Sequence, residues 1–173
     1  MEISNLTFKT GFLIFTIMIR IDKSLLNNLS KKAKTAGRKR KNHNFHKSYS
    51  DTLQRMLNAI EPGSYVRPHK HENPDKNEAF LILKGSMVVV EFDESGNIID
   101  HQVLDQSTEC YGVEISPGIY HTIFALQTDS VAYELKDGPY DVETDKNFAP
   151  WAPAEDDPEA EKYLNNIIKK LNL

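Results

Sequence analysis

A chain of 173 residues with 39% apolar and 27% charged side chains has the length and composition of one well-buried globular domain with some terminal decoration. Its net charge of −4 excludes a general attraction to nucleic acid or to anionic membrane. The single cysteine, Cys110, excludes an intrachain disulfide and fits a reducing, cytoplasmic compartment; lying in an apolar stretch, it reads as a small buried side chain.

The chain begins with an apolar run, "GFLIFTIMI" at residues 11–19, about half the length of a membrane span. A signal peptide needs a cationic start and a small-residue cleavage site. Here Glu2 precedes Lys9, and Arg20-Ile21-Asp22 follows the run, so neither a leader nor a membrane anchor is expected. "MIRIDKSLL" from Met18 reads as a natural start, which makes residues 1–17 an N-terminal extension. Asp22 can cap a helix in which Ile21, Leu25, Leu26 and Leu29 recur at helical spacing, with Gly37 as its stop.

From Lys31 to Lys47 the chain carries eight Lys or Arg and no acid, with Phe45 and Tyr49 nearby. Such a run can contact phosphate backbone, but no nucleic-acid motif accompanies it, and a solvated strip is the expectation. Residues 38–51 read as loop, so residues 18–52 form an N-terminal helix and basic loop.

From residue 53 to residue 137 the texture becomes β-rich. Strands are predicted near 53–60, 65–71, 78–83, 87–92, 98–104, 110–115, 119–126 and 130–136, punctuated by Pro62-Gly63, Lys84-Gly85, Ser95-Gly96-Asn97 and Pro117-Gly118. Short strands without helical periodicity between them argue a sandwich or barrel. Residues 138–173 then hold "DGPYD" and "FAPWAP", a Pro-stiffened stretch whose Trp151 should dock on the barrel. Asp157-Pro158 opens a last helix. Its stripe of Leu164, Ile167, Ile168 and Leu171 must pack on the barrel or on another subunit, which leaves a homodimer open.

Within the β-rich region, "HKHENPDKNE" carries the chemistry. Alternate side chains of a strand share a face, so His69 and His71 can reach one ion at about 2.0–2.1 Å. The "ENPDKN" loop can return Glu78 beside them, and His121, after the "SPGIY" turn, offers a third imidazole. Three neutral imidazoles and a carboxylate suit Zn, Fe(II), Mn or Ni. Each piece alone is unspecific: a lone His-x-His is commonly surface decoration, and His43, His46 and His101 show that stray histidines occur here. By the same alternation Arg67 should point into the barrel, paired with Glu72 or Glu78 or with the carboxylate or phosphate of a ligand, unless a strand end lets it reach solvent past Pro68. Candidates for proton transfer are Tyr120, Tyr133, Glu134 and Lys136.

"GSYVRPHKHENPDKNEAFLILKG" resembles the first cupin motif, with Gly63, five residues, His69, one residue, His71, a spacer, Glu78, six residues and Gly85. "GVEISPGIYH" resembles the second, with Gly118, two residues and His121. The six-residue spacer before Glu78 exceeds the usual three or four and leaves its place as fourth ligand open. Pro117 sits one place later than usual, Gly112 two residues closer, and Ala125 stands where cupins commonly have Asn. Two flanking stretches, "RKRKNHNFHKSYSDTLQRMLNAIEPGSYVRPHKH" and "KDGPYDVETDKNFAPWAPAE", are similar to signatures of the small WbuC-like cupin-fold metalloproteins found among bacterial surface-polysaccharide genes.

The resemblance implies a mainly β protein, a cupin jelly-roll barrel with an N-terminal and a C-terminal helix. It implies one divalent ion per chain on His69, His71, His121 and Glu78. The function implied is an enzyme acting on a sugar or nucleotide-sugar in surface-polysaccharide biosynthesis, with isomerase-type chemistry. The expected partner is a small molecule, an anionic sugar being the leading class. A non-catalytic ligand-binding or regulatory module and an Fe(II)-dependent dioxygenase are the alternatives.

Overall fold

The computed structural model describes residues 18–173. The expected extension, residues 1–17, and most of the "GFLIFTIMI" run lie outside the described residues.

Helix α1 spans Lys23–Thr35 and starts where the Asp22 side chain accepts the Leu25 N–H at 2.9 Å. Leu26, Leu29 and Ala33 bury against Leu57, Ala59 and Val131, whereas Ile21 stays exposed. The chain turns out of the helix at Ala36, just before Gly37.

Ten strands follow: β1 Arg40–Asn44, β2 Leu53–Ile60, β3 His69–Lys70, β4 Glu78–Lys84, β5 Ser86–Phe92, β6 Ile98–Asp105, β7 Gly112–Ile115, β8 Tyr120–Ala125, β9 Ser130–Asp137 and β10 Asn147–Phe148. They form two antiparallel five-stranded sheets, ordered β1-β2-β9-β4-β7 and β10-β3-β8-β5-β6. Between the sheets lies the core: Ile60, Phe80, Ile82 and Ala132 from the first meet Met87, Val89, Leu104, Ile123 and Ala125 from the second.

Three expectations need correction. The barrel is not closed, since no ladder joins the two sheets among the described residues, and the fold is a two-sheet sandwich. Residues 38–51 are not all loop, because β1 pairs along β2 from Arg40↔Ile60 to Asn44↔Met56. Backbone pairing covers the edge of β2 without needing apolar side chains, so a basic, Asn-rich sequence hides this strand from periodicity. The strand expected over 65–71 shrinks to His69–Lys70. Pro62 and Gly63 form a turn before it, and Pro68 has no N–H for a ladder.

On the outer face of the second sheet, helix α2 (Ala160–Lys170) buries Leu164 and Ile167 against Val88, Val90, Phe92 and Phe124. Its stripe is thus covered within the chain. The helix begins two residues after Pro158, through a turn in which Asp157 accepts the Glu159 N–H at 2.8 Å. Ala149 and Ala152 of "FAPWAP" are buried, and Trp151 packs at 5.2 Å from the Phe92 ring and 5.7 Å from Tyr120. Among the described residues no helix is long and apolar enough to cross a membrane.

Candidate metal centre

The sandwich brings residues from both sheets to one point. His69 on β3 is the direct cross-strand partner of His121 on β8, with ring centroids 4.6 Å apart. His71 leaves β3 one residue beyond its end, and its carbonyl accepts the Gly118 N–H at 3.0 Å, which ties it to the turn before His121. Its ring lies 5.1 Å from His69 and 5.6 Å from His121. Glu78 opens β4 in the opposite sheet and reaches across. One ligand-type atom from each of the four buried residues lies within 4.8 Å of the others.

The imidazole tautomers follow from their partners. Nδ1 of His69 faces the Arg67 carbonyl at 2.9 Å, Nδ1 of His121 faces the Ile119 carbonyl at 2.9 Å, and Nδ1 of His71 faces the Asp145 carbonyl. A carbonyl only accepts, so each Nδ1 carries the hydrogen and a neutral ring presents a lone pair at Nε2. Burial pushes the His69 imidazole well below its ordinary pKa, with the nearby charge of Lys146 adding to it.

The result is a collection of acceptors. Nε2 of His121 lies 2.8 Å from Oε2 of Glu78, and Nε2 of His71 lies 3.4 Å from the same oxygen. The His71 Nε2 is fully buried with no hydrogen-bond partner. A buried carboxylate facing imidazole lone pairs is costly unless positive charge stands between them. A divalent cation supplies that charge, and the nitrogen and oxygen donors fit one.

A cavity of about 710 Å³ opens from this cluster, lined by His69, Glu78, His121, Glu134, Lys136 and Lys146 among others. Arg38, Arg40 and Lys41, from β1 and the turn before it, also line it. Lys136 on β9 pairs with Glu78 in register. Its Nζ reaches Oδ2 of Asp145 at 2.6 Å, while Nζ of Lys76 holds Oδ1 at 2.8 Å. Burial opposes the charge on Lys136, but Glu78, Glu134 and Asp145 prevail and raise its pKa. Burial and the charge of Glu78 push Glu134 up to about 8, and the Asn58 amide donates to its Oε2.

The other sequence-stated candidates are dispersed. Tyr120 faces away from the cavity, with Lys70 Nζ 4.7 Å above its ring and Trp151 beside it. Tyr133 packs toward α1 and lies 5.8 Å from the Phe45 ring. His101 and His43 are exposed on β6 and β1. Arg67 lies within residues 61–68, which belong to no strand, and it is not among the residues lining the cavity. Its Nη2 donates to the Ala149 carbonyl at 2.9 Å, its guanidinium lies 5.2 Å from the Phe148 ring centroid, and it pairs with neither Glu72 nor Glu78. Asn58, Lys76, Asp145 and Lys146 went unmarked. The last two sit in a loop with no periodicity, and their position depends on contacts 69 and 74 residues distant.

Comparison with known proteins adds three findings. A family described as "Domain of unknown function (DUF6016)" matches residues 21–104, which include His69, His71 and Glu78. No curated protein matches the chain. Among solved structures, the chain is similar to the capsular polysaccharide assembling protein CapF from Staphylococcus aureus, at 27% identity and a TM-score of 0.52, over 62% of this chain and 28% of that one. CapF with the inhibitor 3-isopropenyl-tropolone is similar at 25% identity and a TM-score of 0.52, over 62% of this chain and 30% of that one. The chain therefore spans less than a third of CapF's length. The Schizosaccharomyces pombe Cnp3 cupin domain is matched at 14% identity and a TM-score of 0.44, over 57% of this chain and 64% of that one.

Proposed function

We propose that this cupin-fold chain is a WbuC-like cytoplasmic protein that holds one divalent ion on His69, His71, Glu78 and His121. Its proposed substrate is a sugar or nucleotide-sugar of bacterial surface-polysaccharide biosynthesis, and its proposed chemistry is of the isomerase type. The observation that carries the reading is the convergence of buried acceptor atoms, with His71 Nε2 left without any donor. Likeness to a capsular polysaccharide assembling protein supports the biosynthetic setting.

The bound ion would supply Lewis acidity toward a carbonyl or hydroxyl oxygen of the sugar. The remaining work falls to residues lining the cavity. Glu134 lines the cavity, accepts from the Asn58 amide, and in the metal-free chain is raised by burial and by Glu78, so it is placed to serve as the general acid–base group. It can take a proton from a carbon beside the carbonyl and return it to the other face or the adjacent atom. Lys136 stays charged against Asp145 and keeps that side of the cavity positive. The side chains of Phe80 and Ile123 give the same cavity an apolar wall.

The test is proton exchange with solvent. Metal-loaded protein incubated in heavy water with nucleotide-sugars should place deuterium on a ring carbon, read by mass spectrometry. Glu134→Gln should slow this by about 10²–10⁴-fold, the usual contribution of a general acid–base group. Exchange that is unchanged in Glu134→Gln, in protein carrying its metal, contradicts the assignment of Glu134.

A further inference from the structure

The cations around the cavity differ in one respect. Lys76 and Lys136 share the Asp145 carboxylate, and Arg40 pairs with Glu155 at 2.5 Å. Arg38 also reaches Glu155, at 3.4 Å. Lys146 and the exposed Lys41 line the same cavity without a hydrogen bond or ion pair among the described residues, and of the two only Lys146 is half-buried. The carboxylates that could serve it are engaged elsewhere. Glu78 faces His71 and His121, Glu134 accepts from Asn58, and Glu155 holds the two arginines.

Its position is set from both sides. Asp145, just before it, is locked by two lysines and by His71. Asn147, just after it, pairs with Lys70 and donates from its side chain to the Glu72 carbonyl at 2.8 Å. Its backbone is therefore fixed at the cavity wall, and its Nζ is not among the fully buried atoms, so it is accessible from the cavity. Burial and the charge of Lys136 lower its pKa, and an anion in contact would favour the charged ammonium.

We propose that Lys146 is the oxyanion-binding residue of the cavity: it holds a carboxylate or phosphate of a sugar whose hydroxyl or carbonyl oxygen faces His69, His71, Glu78 and His121. The placement of that oxygen rests on the proposed metal centre, whereas the anion contact does not. A lysine acts on an oxyanion as a point charge and suits either carboxylate or phosphate, unlike the planar fork of arginine. Arg38 and Lys41 extend the positive lining beyond it, so an anionic sugar approaches along matching charge. Arg67, the residue the sequence offered for an anion, is not among those lining this cavity, and its Nη2 donates to the Ala149 carbonyl.

Calorimetric titration with glucose, glucuronate and glucose 1-phosphate tests the proposal, with metal content read on the same preparations. Wild type should bind at least one of the two anions tenfold or more tightly than glucose, and the tighter one identifies carboxylate or phosphate as the source. Lys146→Met should lose that preference while keeping its metal and its melting temperature, and Lys146→Arg should recover part of it. Repeating the titration after chelation separates the two readings. An anion preference that survives chelation supports Lys146 by itself, and a wild type that never held metal counts against the metal centre alone. An anion preference unchanged in Lys146→Met overturns the proposal, as does equal binding of all three sugars by wild type.

Discussion

The backbone carbonyl of Asp145 takes the Nδ1 hydrogen of His71, 74 residues away in sequence, while its carboxylate lies between Lys76 and Lys136. One residue thus fixes an imidazole tautomer and neutralises two buried ammonium groups. Asp145→Asn keeps the shape but removes the carboxylate that both buried lysines contact. Uncompensated buried charge costs about 3–5 kcal/mol. The loosened His71 should lower metal affinity by roughly 10–100-fold, as losing an outer partner of a ligand commonly does. Urea unfolding and competition with a chromogenic chelator measure the two effects. A variant with wild-type stability would show that the lysines find other partners.

Glu134 predicts an unusual pH dependence for metal-free protein. Its folded pKa of about 8 stands above the ordinary carboxyl value of 4.5, chiefly because burial penalises its charge and Glu78 repels it. A raised carboxyl binds its proton more tightly folded than unfolded. Stability therefore falls as pH rises from about 4.5 and levels off above about 8, by a total on the order of a few kcal/mol. Glu134→Gln should flatten this limb in melting curves of chelated protein taken from pH 5 to 9. An identical slope in wild type and variant would contradict the assignment.

Gly96 locks the outer layer. Its φ is +84°, and a Cβ there would stand 2.7 Å from Cδ2 of Trp151. Gly96→Ala combines a left-handed backbone with an overlap on an aromatic ring that Phe92 and Tyr120 confine. The expected loss is about 2–4 kcal/mol in urea unfolding. Gly37→Ala is the matched control, with nothing within 4 Å of the added methyl. It should be neutral or up to about 1 kcal/mol more stable. Equal effects at the two glycines would mean that Trp151 is not packed there.

The parts of this molecule legible in its sequence are those whose signal is local. β2 and β9 show their apolar positions in the run of residues, and Asp22 announces α1 in a cap of three residues' reach. His69 and His71 come with a strand period, and His121 follows a glycine turn, so the imidazole cluster needed only two strand ends to be placed together. The strand β1 escaped because an exposed edge pairs through its backbone while its side chains stay polar. Strand alternation gives Arg67 no fixed direction, because with Pro68 it lies in a segment that has no ladder. Asp145 and Lys146 acquire their meaning only when the chain after β9 folds back over β3, a contact no local pattern encodes.

The most direct test of the metal centre is metal content in protein purified without chelator and without tag-derived metal. The account predicts one divalent ion per chain in the wild type. It predicts loss of that ion in a His69→Ala, His71→Ala double variant that still unfolds cooperatively, and full retention in His101→Ala, whose histidine is exposed on β6. The same analysis names the metal among Zn, Fe(II), Mn and Ni. A double variant that keeps a full complement of metal would contradict the centre altogether.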